Sequence, residues 1–216
     1  MTSKRLFDLL FVIPGLLFVF PFFILFAVWI KLDSTGPVFF RQERIGHKGR
    51  PFSIWKFRTM IEHAEKDGSQ LTIGNDPRIT RSGYWLRRFK IDELPQLFNV
   101  LVGDMCLVGP RPEVPMYVSQ YTADQRRILD QIPGLTDPAS IKYRDESKLL
   151  GQCRDPERIY LEHILPEKIK INFEYMVHAS LWSDIKIVLK TIKACLNTVI
   201  IIGSSFVIHI FCYLTL

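Results

Sequence analysis

Residues 86–112 read LRRFKIDELPQLFNVLVGDMCLVGPRP, and two adjacent carboxylates, Asp92 and Glu93, stand near their centre. Pro95 follows at once. Proline is tolerated in the first turn of a helix because its missing N–H has no intrahelical partner there. The spacing therefore predicts a helix through Gln96, Leu97, Val100 and Leu101 that begins at the carboxylates. The positive end of such a helix favours an ionised Asp92 and attracts phosphate. Arg87, Arg88 and Lys90 precede the pair, and Arg111 follows it between two prolines. Two acids among fixed cations suit a metal-bound polyphosphate. The same residues also fit a helix-capping aspartate beside a solvated basic face, so context has to separate the two readings.

A chain of 216 residues suits one domain plus appendages. Its 48% hydrophobic content is high for a soluble protein, and the apolar residues gather at both ends, leaving a polar, basic middle. A net charge of +6 fits nucleic acid, an anionic membrane surface or a phosphorylated substrate. Cys106, Cys153, Cys195 and Cys212 form no C-x-x-C pair and have no histidine at ligand spacing, which implies a reducing compartment and no zinc site. Internal repeats, a dinucleotide-binding glycine pattern and a Walker motif are all absent from the sequence.

Residues 9–30 carry no charge and, at about 1.5 Å per residue, reach across a hydrocarbon core of roughly 30 Å. Lys4 and Arg5 precede this run, while Lys31, Arg41, Arg44, Lys48 and Arg50 follow it, so the positive-inside rule makes both flanks cytoplasmic. Pro14 and Pro21 interrupt it, and an interior proline bends a helix. A re-entrant helix that breaks near Pro21 and leaves on the face it entered satisfies both facts, with a simple span as the alternative. The long apolar run, with no small-x-small site before Lys31, argues against a cleaved signal peptide.

Beyond the membrane segment, residues 38–41 and 52–57 read as short strands joined through Gly46, Gly49 and Pro51. Lys56 and Arg58 alternate there with Trp55, Phe57 and Met60, so both cations would share one face, able to grip phosphate or simply solvated. His47 and His63 are isolated and receive no role. A helix is expected over residues 62–69, and another over residues 80–89 with Trp85, Leu86 and Phe89 buried and Arg87 and Arg88 turned outward.

In order along the chain stand a basic N-terminus, a proline-broken apolar segment, GPVFF and QERIG (36–46), KFRTM (56–60), DELPQLFNVL with GDM (92–105) and LVGPRP (107–112). Together, over residues 5–192, they resemble the bacterial sugar transferase family, the monotopic polyprenyl-phosphate phosphoglycosyl transferases. The resemblance implies a two-step transfer. Asp92 would attack the sugar-side phosphate of a UDP-sugar, releasing UMP, and polyprenyl phosphate would then take the phosphosugar, initiating a bacterial surface polysaccharide or glycoconjugate. It implies Mg2+ held by Glu93 beside Asp92, and phosphate or nucleotide contacts from Arg87 and Arg111, with Lys56 and Arg58 carried over beside them. It places the catalytic domain on the cytoplasmic face of the inner membrane, with membrane lipids as further partners. The sequence departs from the family at three points: Phe20 precedes Pro21 where the family commonly has Ser-Pro, Lys90-Ile91 replaces Ser-Leu, and GLTDPASIKYRDE follows Pro133 in place of GLTG-AQVNGR. The last change implies different sugar and acceptor selectivity.

Further on, Thr122 and Gln125 form a capping box, residues 136–144 read as an active-site loop or short strand, Asp155-Pro156 starts a helix, and residues 166–192 approximate helical spacing. The expected fold is α+β and membrane-associated: a membrane helix over 1–32, a compact, mostly helical catalytic domain with a small β element over 33–193, and an apolar tail over 194–216 that is a candidate second membrane segment. Two rivals stay open, a glycosyl transferase that releases UDP and a non-catalytic basic membrane adaptor. Against the adaptor, the cations cluster around DELPQ and GPRP and the aromatics read as core, so nucleic acid is not an expected partner.

Overall fold

The computed structural model describes residues 3–64 and 71–214, and the side chains of 3–64 and 71–197. The apolar N-terminal run forms one helix, α1 (Ser3–Asp33), which continues through Pro14 and Pro21, so the break expected near Pro21 does not interrupt it. Phe7, Val12, Leu16, Phe23 and Ile30 are buried along one side of it, whereas Leu10, Leu17, Phe18, Leu25 and Leu32 stay exposed. A core helix of a soluble protein would cover both sides, so the bare apolar face is compatible with membrane association.

Both ends of α1 are tied to one domain. At its start Arg5 donates to the carbonyls of Val100 and, at 2.7 Å, Leu101, and Lys4 pairs with Asp184 at 2.6 Å. Asp8 accepts from the Leu107 N–H at 3.1 Å. At its end Asp33 accepts from the N–H and hydroxyl of Ser82, each at 2.8 Å. Phe23 and Ile30 pack there with Phe57 and Leu86.

After α1 the chain forms a hairpin, β1 (Phe39–Ile45) antiparallel to β2 (Pro51–Phe57), in register from Phe39 opposite Phe57 to Ile45 opposite Pro51. The first strand is longer than residues 38–41 because its alternation of exposed and half-buried positions continues through Arg44. Residues 62–64 form a turn where a helix was expected over 62–69, and residues 65–70 of that expectation lie outside the described residues. Next come α2 (Arg81–Arg88) and α3 (Gln96–Val102), then β3 (Cys106–Val108), which pairs in parallel with β4 (Gly134–Thr136).

Between those strands lie α4 (Pro115–Val118) and α5 (Ala123–Arg126), the latter opened by the expected Thr122–Gln125 capping box. Residues 136–144, read as a loop or strand, instead contain α6 (Pro138–Lys142). Asp137 caps it, accepting from the Ser140 N–H at 2.9 Å, and Pro138 occupies its first turn. Two short helices, α7 (Glu146–Leu150) and α8 (Pro156–Ile159), lead through a π-helical turn to α9 (Leu165–Val177) and the long α10 (Leu181–Leu214). One core joins Tyr117, Tyr160, Leu150 and Ile169, and a second joins α1 to Val100, Val108 and Ile187. The result is a helix-dominated fold with two small sheets among the described residues.

Candidate active site

Lys90 adopts a left-handed backbone (φ 59°, ψ 21°), which stops α2 and turns the chain sharply into a 3-10 turn over Ile91–Glu93. Pro95 then sits at the start of α3 with αR geometry and makes no side-chain cap. The carboxylates therefore precede the helix on a turn of their own instead of lying within its first residues. Asp92 is 6% exposed, and its Oδ1 is buried without a hydrogen-bond partner among the described residues. A capping aspartate would place that oxygen on a backbone N–H, so the capping reading fails here.

Glu93 is held differently. The Arg111 guanidinium grips it with two donors, Nη1 to Oε2 at 3.2 Å and Nη2 to Oε1, and Lys56 Nζ lies 3.7 Å from Oε1. Arg111 reaches this position because β3 leads into the GPRP turn and Arg44 donates to the Pro112 carbonyl at 3.0 Å. Arg44 also pairs with Glu113 at 3.6 Å. Arg111 lines a cleft together with Glu113, Tyr121, Asp137, Lys168 and Asn172.

Arg87 is turned inward, not outward as the α2 pattern predicted. Its Nε donates to Thr59 Oγ1 at 2.8 Å and its Nη1 to Thr72 Oγ1 at 2.9 Å, which aims the guanidinium so that its charge acts on Asp92. Trp85, expected inside, is exposed and stacks on Phe89, while Leu86 is fully buried. Lys56 and Arg58 part company: Lys56 faces the dyad, whereas Arg58 Nη2 donates to the Ser34 carbonyl at 2.8 Å and feels Glu62 and Asp33. Of the six residues singled out, the structure brings together Asp92, Glu93, Lys56, Arg87 and Arg111.

Burial sets the electrostatics. Desolvation, then the neighbouring Glu93, raises the Asp92 carboxyl above its usual value against the pull of Lys56, Lys90 and Arg87. Burial works to raise Glu93 too, but Arg111, Lys90 and Lys56 outweigh it and hold that carboxyl well below the usual range. The Lys56 ammonium is pushed down to about 8 by burial, with Arg111 and Arg44 adding repulsion that Glu93 opposes. Sequence reading missed Thr59 and Thr72, which orient Arg87, and Asn99. The Asn99 Nδ2 donates to the Ser53 carbonyl at 2.8 Å and its Oδ1 accepts from the Trp55 N–H at 3.0 Å, fastening α3 to β2. A polar residue amid the apolar QLFNVLV run was the available signal.

The site is thus a buried carboxylate dyad, one acid unpartnered and one clamped by arginine, on a domain docked along an apolar helix. Residues 1–198 match the family described as bacterial sugar transferase, and the chain belongs to that family. It is 39% identical over 201 residues to a UDP-N-acetylgalactosamine-undecaprenyl-phosphate N-acetylgalactosaminephosphotransferase of Aeromonas hydrophila, covering 90% of this chain and 44% of that one. It is 41% identical over 204 residues to an undecaprenyl-phosphate glucose phosphotransferase of Komagataeibacter xylinus, covering 89% and 36%. It is 37% identical over 198 residues to a UDP-glucose:undecaprenyl-phosphate glucose-1-phosphate transferase of Escherichia coli K12, covering 88% and 39%. The chain spans less than half the length of these relatives.

Proposed function

We propose that the chain transfers a sugar 1-phosphate from a UDP-sugar to polyprenyl phosphate, in two displacements at the membrane surface. An Asp92 oxygen attacks the sugar-side phosphorus, the bond to the bridging oxygen breaks, and UMP leaves. An oxygen of polyprenyl phosphate then attacks the same phosphorus, the Asp92–phosphorus bond breaks, and the carboxylate is restored as the polyprenyl diphosphate sugar departs. The observation that carries this reading is the Asp92 Oδ1, a desolvated carboxylate oxygen with no hydrogen-bond partner among the described residues, beside a second acid that Arg111 clamps through one lone pair of each oxygen, leaving the others open. Desolvation makes a weak nucleophile stronger.

Arg87, braced by two hydroxyls, and Arg111 offer planar donors to diphosphate oxygens, and Lys56 adds a point charge. Arg58 acts one step back, bracing the chain where it leaves α1.

The family implies magnesium. Among the described residues no cluster of three or more His, Cys, Asp or Glu could hold a metal alone. The free Asp92 oxygen and the adjacent Glu93 nevertheless fit a hard cation whose shell substrate phosphates complete. Glu93 and Asp92 would hold it, and when bound it would neutralise diphosphate charge.

The acceptor phosphate lies at the bilayer surface, and the attachment of both ends of α1 to one domain supports a helix that enters and leaves on the same face. The basic residues flanking it favour the cytoplasmic side of the inner membrane. The test is nucleotide release from a panel of UDP-sugars by membrane-bound protein with magnesium and polyprenyl phosphate. UMP is expected, with Asp92→Asn lowering turnover by roughly 10³-fold or more. Release of UDP would mean that the sugar moves alone, and full activity in Asp92→Asn would exclude the covalent step.

A further inference from the structure

Helix α10 leaves the domain at the level of the membrane helix. Asp184 in its first turn pairs with Lys4 of α1 at 2.6 Å, Ile187 is buried with Phe7, Val12 and Leu16 of α1, and Thr191 Oγ1 meets Thr136 Oγ1 at 2.7 Å. On its other side Trp182, Leu189, Ile192 and Leu196 are each half or more exposed. The helix then continues unbroken to Leu214, well past the residue-198 limit of the family match.

We infer that the part of α10 beyond Lys193 crosses the bilayer, giving the chain a second and topologically different membrane element whose partner is the lipid hydrocarbon itself. Three observations converge on this. Residues 194–216 contain no Asp, Glu, Lys or Arg, and the polar residues among them, such as Asn197, Ser204, Ser205 and His209, carry no formal charge. Residues 194–214 make about 31 Å of helix, the thickness of a hydrocarbon core. Lys186, Lys190 and Lys193 stand immediately before the segment, on the side of the domain, where the positive-inside rule puts cations. A helix lying along the surface needs one charged face, and this stretch has none. Helix α1 is fastened to the domain at both ends, and the contacts of α10 among the described residues lie in its first half.

The test is independent of the proposed reaction because it reads sidedness, not turnover. Two full-length chains carry Cys195→Ala and Cys212→Ala. One keeps Cys153 as the domain reporter, and the other adds Cys153→Ala and Leu216→Cys; the buried Cys106 stays in both. Each is treated with a membrane-impermeant maleimide in spheroplasts and in inverted membrane vesicles, and each reporter is compared with itself. Cys153 is expected to label only in vesicles, and Leu216→Cys to label at least about tenfold faster in spheroplasts, as a crossing helix requires. Labelling of Leu216→Cys only in vesicles would overturn the inference, as would labelling in neither preparation until detergent is added. As a second check, Ser204→Lys, a charge at the centre of the segment, is expected to abolish the labelling in spheroplasts; unchanged labelling would equally overturn it.

Discussion

The two acids of the dyad are pulled apart by their surroundings. Asp92 is raised by burial and by Glu93, so as pH falls it loses its charge before an ordinary aspartate does. The acid limb of kcat/KM is therefore expected above the usual value of about 3.9. Lys56, pushed down to about 8, loses its charge as pH rises through that value and sets an alkaline limb there. Lys56→Arg keeps the charge and is expected to move the alkaline limb above pH 10; a limb that stays near 8 would remove Lys56 from the account. The same balance has a stability side. Glu93, held low, contributes stability that is present above its unfolded pKa and lost as pH falls through the folded one. Asp92 has the opposite sign: its ionised form opposes folding above the unfolded value. Asp92→Asn is thus expected to raise Tm at neutral pH while abolishing turnover, a stability-for-activity exchange seen at functional sites. An unchanged or lowered Tm would argue against a strained, unpartnered carboxylate.

The short parallel pair of β3 and β4 sets Arg111. A Cβ on Gly134 would lie 2.1 Å from the Gly109 nitrogen and 2.3 Å from its carbonyl oxygen, so the two backbones can cross this closely only without side chains. Gly134→Ala is expected to cost about 2–3 kcal/mol and, by displacing the GPRP turn, to lower kcat/KM about 100-fold. Gly15→Ala, inside α1 where nothing lies within 4 Å, is the control expected to leave kcat/KM unchanged and to stabilise by up to about 1 kcal/mol. Thermal melts and steady-state kinetics check the pair. The hairpin, the capping box and the Asp155-Pro156 helix start were legible because each is signalled within a few residues by glycine, proline or a capping side chain. The Asp137-Pro138 start of α6 carried the same local signal and was read through as a loop. The inward turn of Arg87 was not legible, because its partners Thr59 and Thr72 lie 28 and 15 residues away. The left-handed Lys90 was equally hidden, since lysine gives no hint of positive φ. The adjacency of the two acids and the cations around them was legible, but their separation from α3 depends on that single backbone angle.

Across the molecule, attachment of α1 fixes where the dyad sits relative to the apolar helix. Arg5 donates to the carbonyls of Val100 and Leu101 at the end of α3, whose beginning adjoins the dyad. Arg5→Ala is expected to cost about 2–3 kcal/mol through two lost charge-assisted hydrogen bonds. It should also slow transfer to a membrane-embedded acceptor more than to a short-chain soluble one; equal effects on both acceptors would show that the contact serves folding only. The apolar ends of the chain were plain in the sequence, whereas the sharing of one buried cluster by α1 and α10 was not, since periodicity cannot say which faces meet.

The attachment of α1 also orders events in time. The carbonyls that receive Arg5 lie 95 and 96 residues further along. At roughly 5–20 residues per second, a ribosome needs about 5–20 s to make them after Arg5 has been added. On the proposed membrane reading, the bilayer is therefore available to α1 before its own domain is, and the domain closes on a helix already in hydrocarbon.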